Sequence, residues 1–458
     1  MKRSIIFICA LTLSGIAFAQ NAELDILFEE FYLDNGLRVI VHEDRKAPIV
    51  AVTLWYHVGS RNEVTGKTGF AHLFEHLMFN GSENYDGEYF APFQEVGATG
   101  MNGTTNTDRT NYFQTVPTTA LDLAMWMESD RMGYLLPALT QKKLDTQRDV
   151  VLNERRQSYE NRPYGFAGMA LMATHYPSNH PYHWPTIGFP DDIRSAGLDD
   201  VRDFFETYYH PANASLAIAG DVRTEKVVST VRDYFGDLAV GPEPAEVVVP
   251  AVENGGQMVM LEDNVECPRL YLSWPSAALL GKYDAELDLV ADILAGGKSA
   301  RLYRTLVHDR RIAADVSVQQ SSRELSGLFS IVATAIPGTN LLEIENVISE
   351  ELARMLASDV TEHELRRSRN RFEADFAWRQ QSVGGFGGKA DQLNAYNTFV
   401  GTPNFFSSDF ERYVQVTPDS IREALKSQLR PETRVALSVV PVEARSAALP
   451  ESRHIEMC

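Results

Sequence analysis

Cysteine is almost absent from this chain: three residues in 458, at positions 9, 267 and 458. Three are too few for a disulfide framework in a chain of this size. Positive charge is also in short supply, with 42 Lys and Arg against 62 Asp and Glu, and the resulting formal net charge of −20 argues against nucleic acid as a partner. After the first nineteen residues no run is apolar enough to approach a membrane span. What remains is ordinary for a globular protein. Hydrophobic residues make up 44% and charged residues 23% of a chain long enough for two or three domains, which excludes disordered and fibrous classes.

The N-terminus reads Lys2-Arg3, an apolar run from Ile5 to Phe18, then Ala17-Phe18-Ala19 before Gln20. This is the layout of a secretory signal peptide, with cleavage expected after Ala19 and an exported, periplasmic location. Removing Lys2 and Arg3 takes away two positive charges and moves the net charge from −20 to −22. Cys9 leaves with the signal, so Cys267 and Cys458 remain as a pair that is free to join but not required to.

The mature chain reads as a duplication. Asn35-Gly36-Leu37-Arg38-Val39-Ile40-Val41-His42-Glu43-Asp44 recurs as Asn254-Gly255-Gly256-Gln257-Met258-Val259-Met260-Leu261-Glu262-Asp263, and Trp55 keeps the same offset to Trp274. Each copy is a turn, an alternating strand, an acidic turn, a second strand and then a helix, which predicts two homologous α+β domains of mainly antiparallel sheet packed with helices. Val240-Gly241-Pro242-Glu243-Pro244 interrupts any regular element. A linker is expected near 239 to 248, dividing residues 20–242 from 243–458. Within the first half, Leu121 to Tyr134 and Leu144 to Tyr159 are expected as helices and Ser215 to Ala219 as a strand.

His72-Leu73-Phe74-Glu75-His76 lies in an apolar stretch of the first copy. Four residues is just over one helical turn, so both imidazoles project from one face, with Glu75 beside them within reach of a metal-bound water. The order inverts the commoner His-Glu-x-x-His motif. Matching Asn80-Gly81 to Gly296-Gly297 sets Asp288, Ala291 and Asp292 opposite His72, Glu75 and His76. One half alone carries the motif, which favours chemistry over helix packing. His175, His180 and His183 are read as parts of a proline-rich structural loop rather than a second metal site. Gly384-Gly385-Phe386-Gly387-Gly388 is read as a flexible connection, with a hinge or a substrate-facing loop as alternatives.

The segment from His72 to Gly81, HLFEHLMFNG, resembles the metal-binding helix of the pitrilysin/insulinase family of zinc peptidases. The resemblance implies that Glu154, in Arg148-Asp149-Val150-Val151-Leu152-Asn153-Glu154-Arg155-Arg156, is the third ligand to one Zn2+ beside His72 and His76, and that Glu75 is the catalytic base of a metalloendopeptidase. It also implies that Asn102, in a segment similar to the family strand bordering the active site, contacts a substrate peptide bound as an added strand. Family members usually carry a glutamate seven residues before the ligand; here that position is Gln147.

The chain departs from the family most in its second half. Gly296-Gly297-Lys298-Ser299-Ala300-Arg301-Leu302-Tyr303 resembles the segment after which active clamshells place an arginine and then a tyrosine, but the corresponding residues are Val307 and Ala314. The resemblance therefore implies half of a clamshell, a zinc-bearing subunit completed by a related chain that supplies the Arg/Tyr pair, with a homodimer as the alternative. A non-catalytic zinc-binding structural or peptide-binding subunit is the rival reading of the same residues.

Overall fold

The duplication is visible in the order of the strands. The computed structural model describes residues 26–247, 249–250, 255–358 and 360–457. The expected signal peptide and Asn254 lie outside the described residues, as does Cys458, the expected candidate partner of half-buried Cys267. In the first half, β1 (Glu29–Tyr32), β2 (Arg38–Glu43), β3 (Ile49–Tyr56), β4 (Thr99–Thr105), β5 (Thr110–Pro117) and β6 (Ala214–Gly220) form one sheet in the order β1-β2-β6-β3-β5-β4. In the second, β7 (Gln257–Asp263), β8 (Arg269–Ser276), β9 (Ala313–Ser321), β10 (Gly327–Ala335), β11 (Val435–Pro441) and β12 (Arg453–His454) run β12-β7-β11-β8-β10-β9. From β2 to β4 and from β7 to β9 the two orders coincide, including a parallel pair, β2 with β6 and β7 with β11, in otherwise antiparallel company. Only the outermost strands, β1 and β12, come from unrelated parts of the chain. The fold is α+β, as the sequence pattern predicts.

Strand alternation sends successive side chains to opposite faces of each sheet. On β3, Val50, Val52, Leu54 and Tyr56 join the core that also holds Phe70, Leu73, Phe74 and Leu77 of the motif-bearing helix, Phe70–Leu77. Ala51, with Ala217 and Ala219 on β6, faces the other way. These small side chains let a helix of the second half, Lys389–Val400, lie close against the first sheet through Ala390, Leu393 and Tyr396. The exchange is reciprocal. The helix Ala167–His175 of the first half covers Val259, Leu261, Tyr271 and Leu437 of the second sheet through Ala167, Ala170 and Leu171.

Polar pairs fix the register of this exchange. Trp55 Nε1 and Asn111 Nδ2 donate to Asp391 Oδ1 at 2.7 and 2.9 Å, and Gly387 N donates to Asp391 Oδ2 at 2.8 Å. Asn394 Nδ2 donates to the Thr53 carbonyl at 2.8 Å. On the other side, His175 Nε2 and Ser273 Oγ are 3.0 Å apart. Asp391 is 4% exposed, so replacing it strands the buried donors of Trp55 and Asn111 away from water at about 1–3 kcal/mol each and frees the half-buried Gly387 N–H as well. Asp391→Ala is therefore expected to destabilise the chain by roughly 3 kcal/mol or more, seen as a lower midpoint in denaturant unfolding.

Two helices of the first half differ from their expected spans. The first runs Leu121–Ala138 rather than stopping at Tyr134; Pro137 lies inside it, and the chain continues past a kink where Tyr134 has φ −131°. Proline lacks the donor and crowds the preceding turn, which bends a helix without ending it here. The second starts at Gln141, where Thr140 Oγ1 accepts from Lys143 N at 3.3 Å as an N-cap. It ends at Arg155, and Arg156–Glu160 widens into a π-helical turn.

Candidate metal centre

The helix Phe70–Leu77 forms because its apolar residues fall at 70, 73, 74 and 77, a stripe on one side that the core buries almost completely. His72 and His76 are left on the flank of that stripe. The helix starts without a side-chain cap from its own N-cap residue, since that residue is Gly69 at φ +83°. Instead the carboxylate of buried Glu63 accepts from Gly69 N and Ala71 N, each at 2.8 Å. A Cβ on Gly69 would come 2.9 Å from the Cα of Gly188, so glycine here lets the loop after Trp184 press against the helix start.

Glu154 reaches the same flank from the last turn of Gln141–Arg155, just before the π-helical turn. Its Oε2 lies 3.7 Å from His72 Nε2 and 3.3 Å from His76 Nε2. The ligand atoms of the three residues all lie within 4.8 Å of one another, and they form the only such group of three among the described residues. Bonds of about 2.0–2.1 Å at tetrahedral angles set ligand atoms roughly 3.3 Å apart. The observed separations fit one zinc ion.

The protonation states fit as well. Burial, reinforced by the neighbouring His76, pushes the His72 imidazole down to about 4. The bond to His76 holds the Glu154 carboxyl below its usual range despite partial burial. A neutral imidazole and an anionic carboxylate are the forms that bind a metal. His72 Nδ1 is buried with no hydrogen-bond partner among the described residues, so packing rather than a second hydrogen bond orients that ring.

Glu75 is 9% exposed, and its Oε2 accepts from Thr105 Oγ1 of β4 at 2.6 Å. Burial raises the Glu75 carboxyl above the ordinary glutamate value, while Thr105, His76 and Arg109 oppose that rise. The result is a carboxylate oriented beside the three-residue cluster and readier than usual to take up a proton.

Asn102 lies elsewhere. It is exposed on β4, opposite Phe113, and strand alternation points it to the face of the sheet away from Thr105 and Glu75. Because β4 is the edge of its sheet, Asn102 borders the unpaired edge without touching the metal cluster. Gln147 does not reach the cluster directly either; its Nε2 donates to Asn80 Oδ1 at 3.1 Å, and Asn80 Nδ2 donates to the His76 carbonyl at 2.7 Å. The histidines outside the motif are separately engaged: His175 with Ser273, His180 stacked on Tyr176 at 4.4 Å, and His183 Nδ1 2.7 Å from the Tyr176 carbonyl.

In the second half the equivalent position carries a different arrangement. Asp288 accepts from Tyr413 OH at 2.6 Å, and burial beside Asp284 pushes its carboxyl up to about 7. Asp292 pairs with Arg371 at 3.0 Å, a cation on the helix Glu362–Arg379 where the first half presents Glu154. Val307 sits half-buried against the second core, in the π-helical turn Tyr303–Asp309, and Ala314 is exposed on edge strand β9.

Two family models cover most of the chain: residues 38–183 match the insulinase family (peptidase family M16), and residues 195–372 match the peptidase M16 inactive domain. The chain belongs to the insulinase family, peptidase family M16. It is 30% identical over 383 residues to the zinc protease PqqE of Helicobacter pylori, covering 82% of this chain and 85% of that one. A crystal structure of a protease from H. pylori superposes with a TM-score of 0.83 at 26% identity over 91% of this chain and all of the other. The periplasmic protease PqqL of Escherichia coli superposes with a TM-score of 0.75 at 18% identity; 93% of this chain covers 49% of that one. The family's half-clamshell architecture is thus the fold of this chain. The inactive-domain match runs from the end of the first half into the second and includes Asp288, Ala291 and Asp292.

Proposed function

We propose that this chain is an exported zinc metalloendopeptidase that hydrolyses short, unfolded peptides, with a division of labour between residues 20–242, which hold the metal, and 243–458, which do not. The observation that carries the reading is the convergence of His72, His76 and Glu154 within bonding distance of one ion, with Glu75 hydrogen-bonded beside them.

Zinc held by His72, His76 and Glu154 would supply Lewis acidity, making a water more acidic and a scissile carbonyl more electrophilic. The chain does the rest. Thr105 holds Glu75 in place, and Glu75 takes the proton of the attacking water and delivers it to the leaving amine. The unpaired edge of β4 accepts the substrate as an added strand, which sets its backbone alongside Glu75, with Asn102 at the rim of that edge.

Val307 and Ala314 offer no side-chain donor for the oxyanion. Their identity supports a related partner chain carrying the missing Arg/Tyr pair, with a homodimer as the alternative. The signal-peptide layout supports a periplasmic location, and no helix among the described residues is long and apolar enough to cross a membrane.

The test is a fluorogenic unfolded peptide assayed with the chain and a co-encoded relative. Turnover is expected to vanish on removal of metal by a chelator and to return on addition of stoichiometric zinc. Zinc binding without cleavage of any peptide, partner present or not, would instead mark a non-catalytic subunit.

A further inference from the structure

The glycine-rich run Gly384–Gly388 is neither a slack connection nor remote from the site. Ser382 Oγ donates to the Gly384 carbonyl at 2.7 Å, Gly388 N to the Gly385 carbonyl at 3.2 Å, and Gly387 N to Asp391 at 2.8 Å. Gly385 and Gly387 adopt φ +80° and +78°, a conformation that glycine alone takes without strain. The run comes from the second half yet crosses the first sheet on its non-metal face. A Cβ on Gly384 would come within 2.7 Å of Ala51 Cβ on β3, and a Cβ on Gly100 of β4 would stand 4.0 Å from Gly385 Cα.

This tethered loop holds one large side chain, Phe386, 63% exposed to solvent. Its ring centroid is 6.2 Å from that of Phe113, the residue opposite Asn102 on β5. Beneath it lies the guanidinium of Arg109, 5.3 Å from the Phe386 ring and 5.2 Å from Trp55, anchored by a 2.7 Å bond from Nη1 to the Thr104 carbonyl. An exposed aromatic ring fixed by backbone hydrogen bonds, next to the free edge of a sheet, has apolar area to offer a ligand at little ordering cost.

We propose that Phe386, with Phe113, forms an apolar side-chain subsite on the non-metal face of β4 and selects peptides by the residue placed there. The inference rests on the reading that β4 binds substrate as an added strand. Such a strand points every second side chain to the metal face and the others to the face that Asn102, Phe113 and Phe386 share. The loop therefore sets a preference for aromatic or large aliphatic residues at alternate substrate positions, and Phe386 is a specificity residue contributed by the half without metal.

The experiment uses unstructured peptides identical except for one position, stepped along the sequence as Phe or Asp, assayed with the full chain and its partner. The wild type is expected to favour Phe by about tenfold in kcat/KM at one position of the series, and Phe386→Ala to bring that ratio close to one, with Phe386→Leu in between. A purely structural role for Phe386 would slow both peptides alike and leave the ratio where it was, which overturns the proposal. The same pairs titrated by fluorescence anisotropy against Glu75→Gln, with and without Phe386→Ala, separate the subsite from the chemistry. Absence of hydrolysis alone would count against the peptidase reading. Absence of a Phe386-dependent binding preference would overturn the subsite.

Discussion

Glu75→Gln is expected to retain the zinc content of the wild type while lowering kcat by about 10⁴-fold, near the upper end of what general acid–base groups contribute. The large figure follows from using one carboxylate twice, first to take the water's proton and then to give it to the amine. The substitution is close to isosteric, and a glutamine oxygen still accepts from Thr105 Oγ1, so the helix and the metal cluster are left undisturbed. His76→Ala and Glu154→Ala should behave differently, losing both metal and turnover, because each removes one of three donors around the ion. Metal analysis paired with single-turnover kinetics distinguishes the classes. A Glu75→Gln protein within tenfold of wild type would remove Glu75 from the mechanism.

Addition of a related subunit bearing the Arg/Tyr pair is expected to raise kcat/KM at least about a hundredfold over the chain alone. Removing a single oxyanion donor typically costs 10²–10³ in turnover, and here the expected positions hold Val307 and Ala314, whose side chains donate nothing. Replacing the partner's arginine by alanine should return the activity of the mixture to the level of the isolated chain. High activity of the purified chain by itself would refute the two-chain reading.

Much of this was legible in the sequence because it rests on short-range periodicity. The apolar stripe at 70, 73, 74 and 77 and the spacing of His72 and His76 define the helix and its flank, and the repeat of Asn35–Asp44 defines two sheets of matching order. Glu154 was legible only through resemblance, since nothing local ties a helix-end glutamate to a site far back in the chain. Contacts that depend on tertiary approach were not legible at all. Glu63 capping the metal-site helix, Thr105 orienting Glu75 and Asp391 binding Trp55 join residues whose separation carries no period. The glycine-rich run shows a related effect: composition suggests slackness, whereas short-range bonds to Ser382 and Asp391 hold it, and Asp391 is itself held by Trp55 and Asn111 far back in the chain. The helix beginning at Gln141 extends three residues beyond its expected start because Thr140 caps it, a polar signal outweighed by the apolar pattern.

The reciprocal helix exchange bears on how a substrate gets in. Each sheet has one face sealed by a segment belonging to the other half, so prising the halves apart would expose both sheets at once and break the bonds to Asp391 and His175 together. The hinge of any entry motion is therefore not to be sought inside this polypeptide. On the proposed two-chain reading, the chain then swings as one jaw, and admission of a peptide falls to the joint with its opposite number.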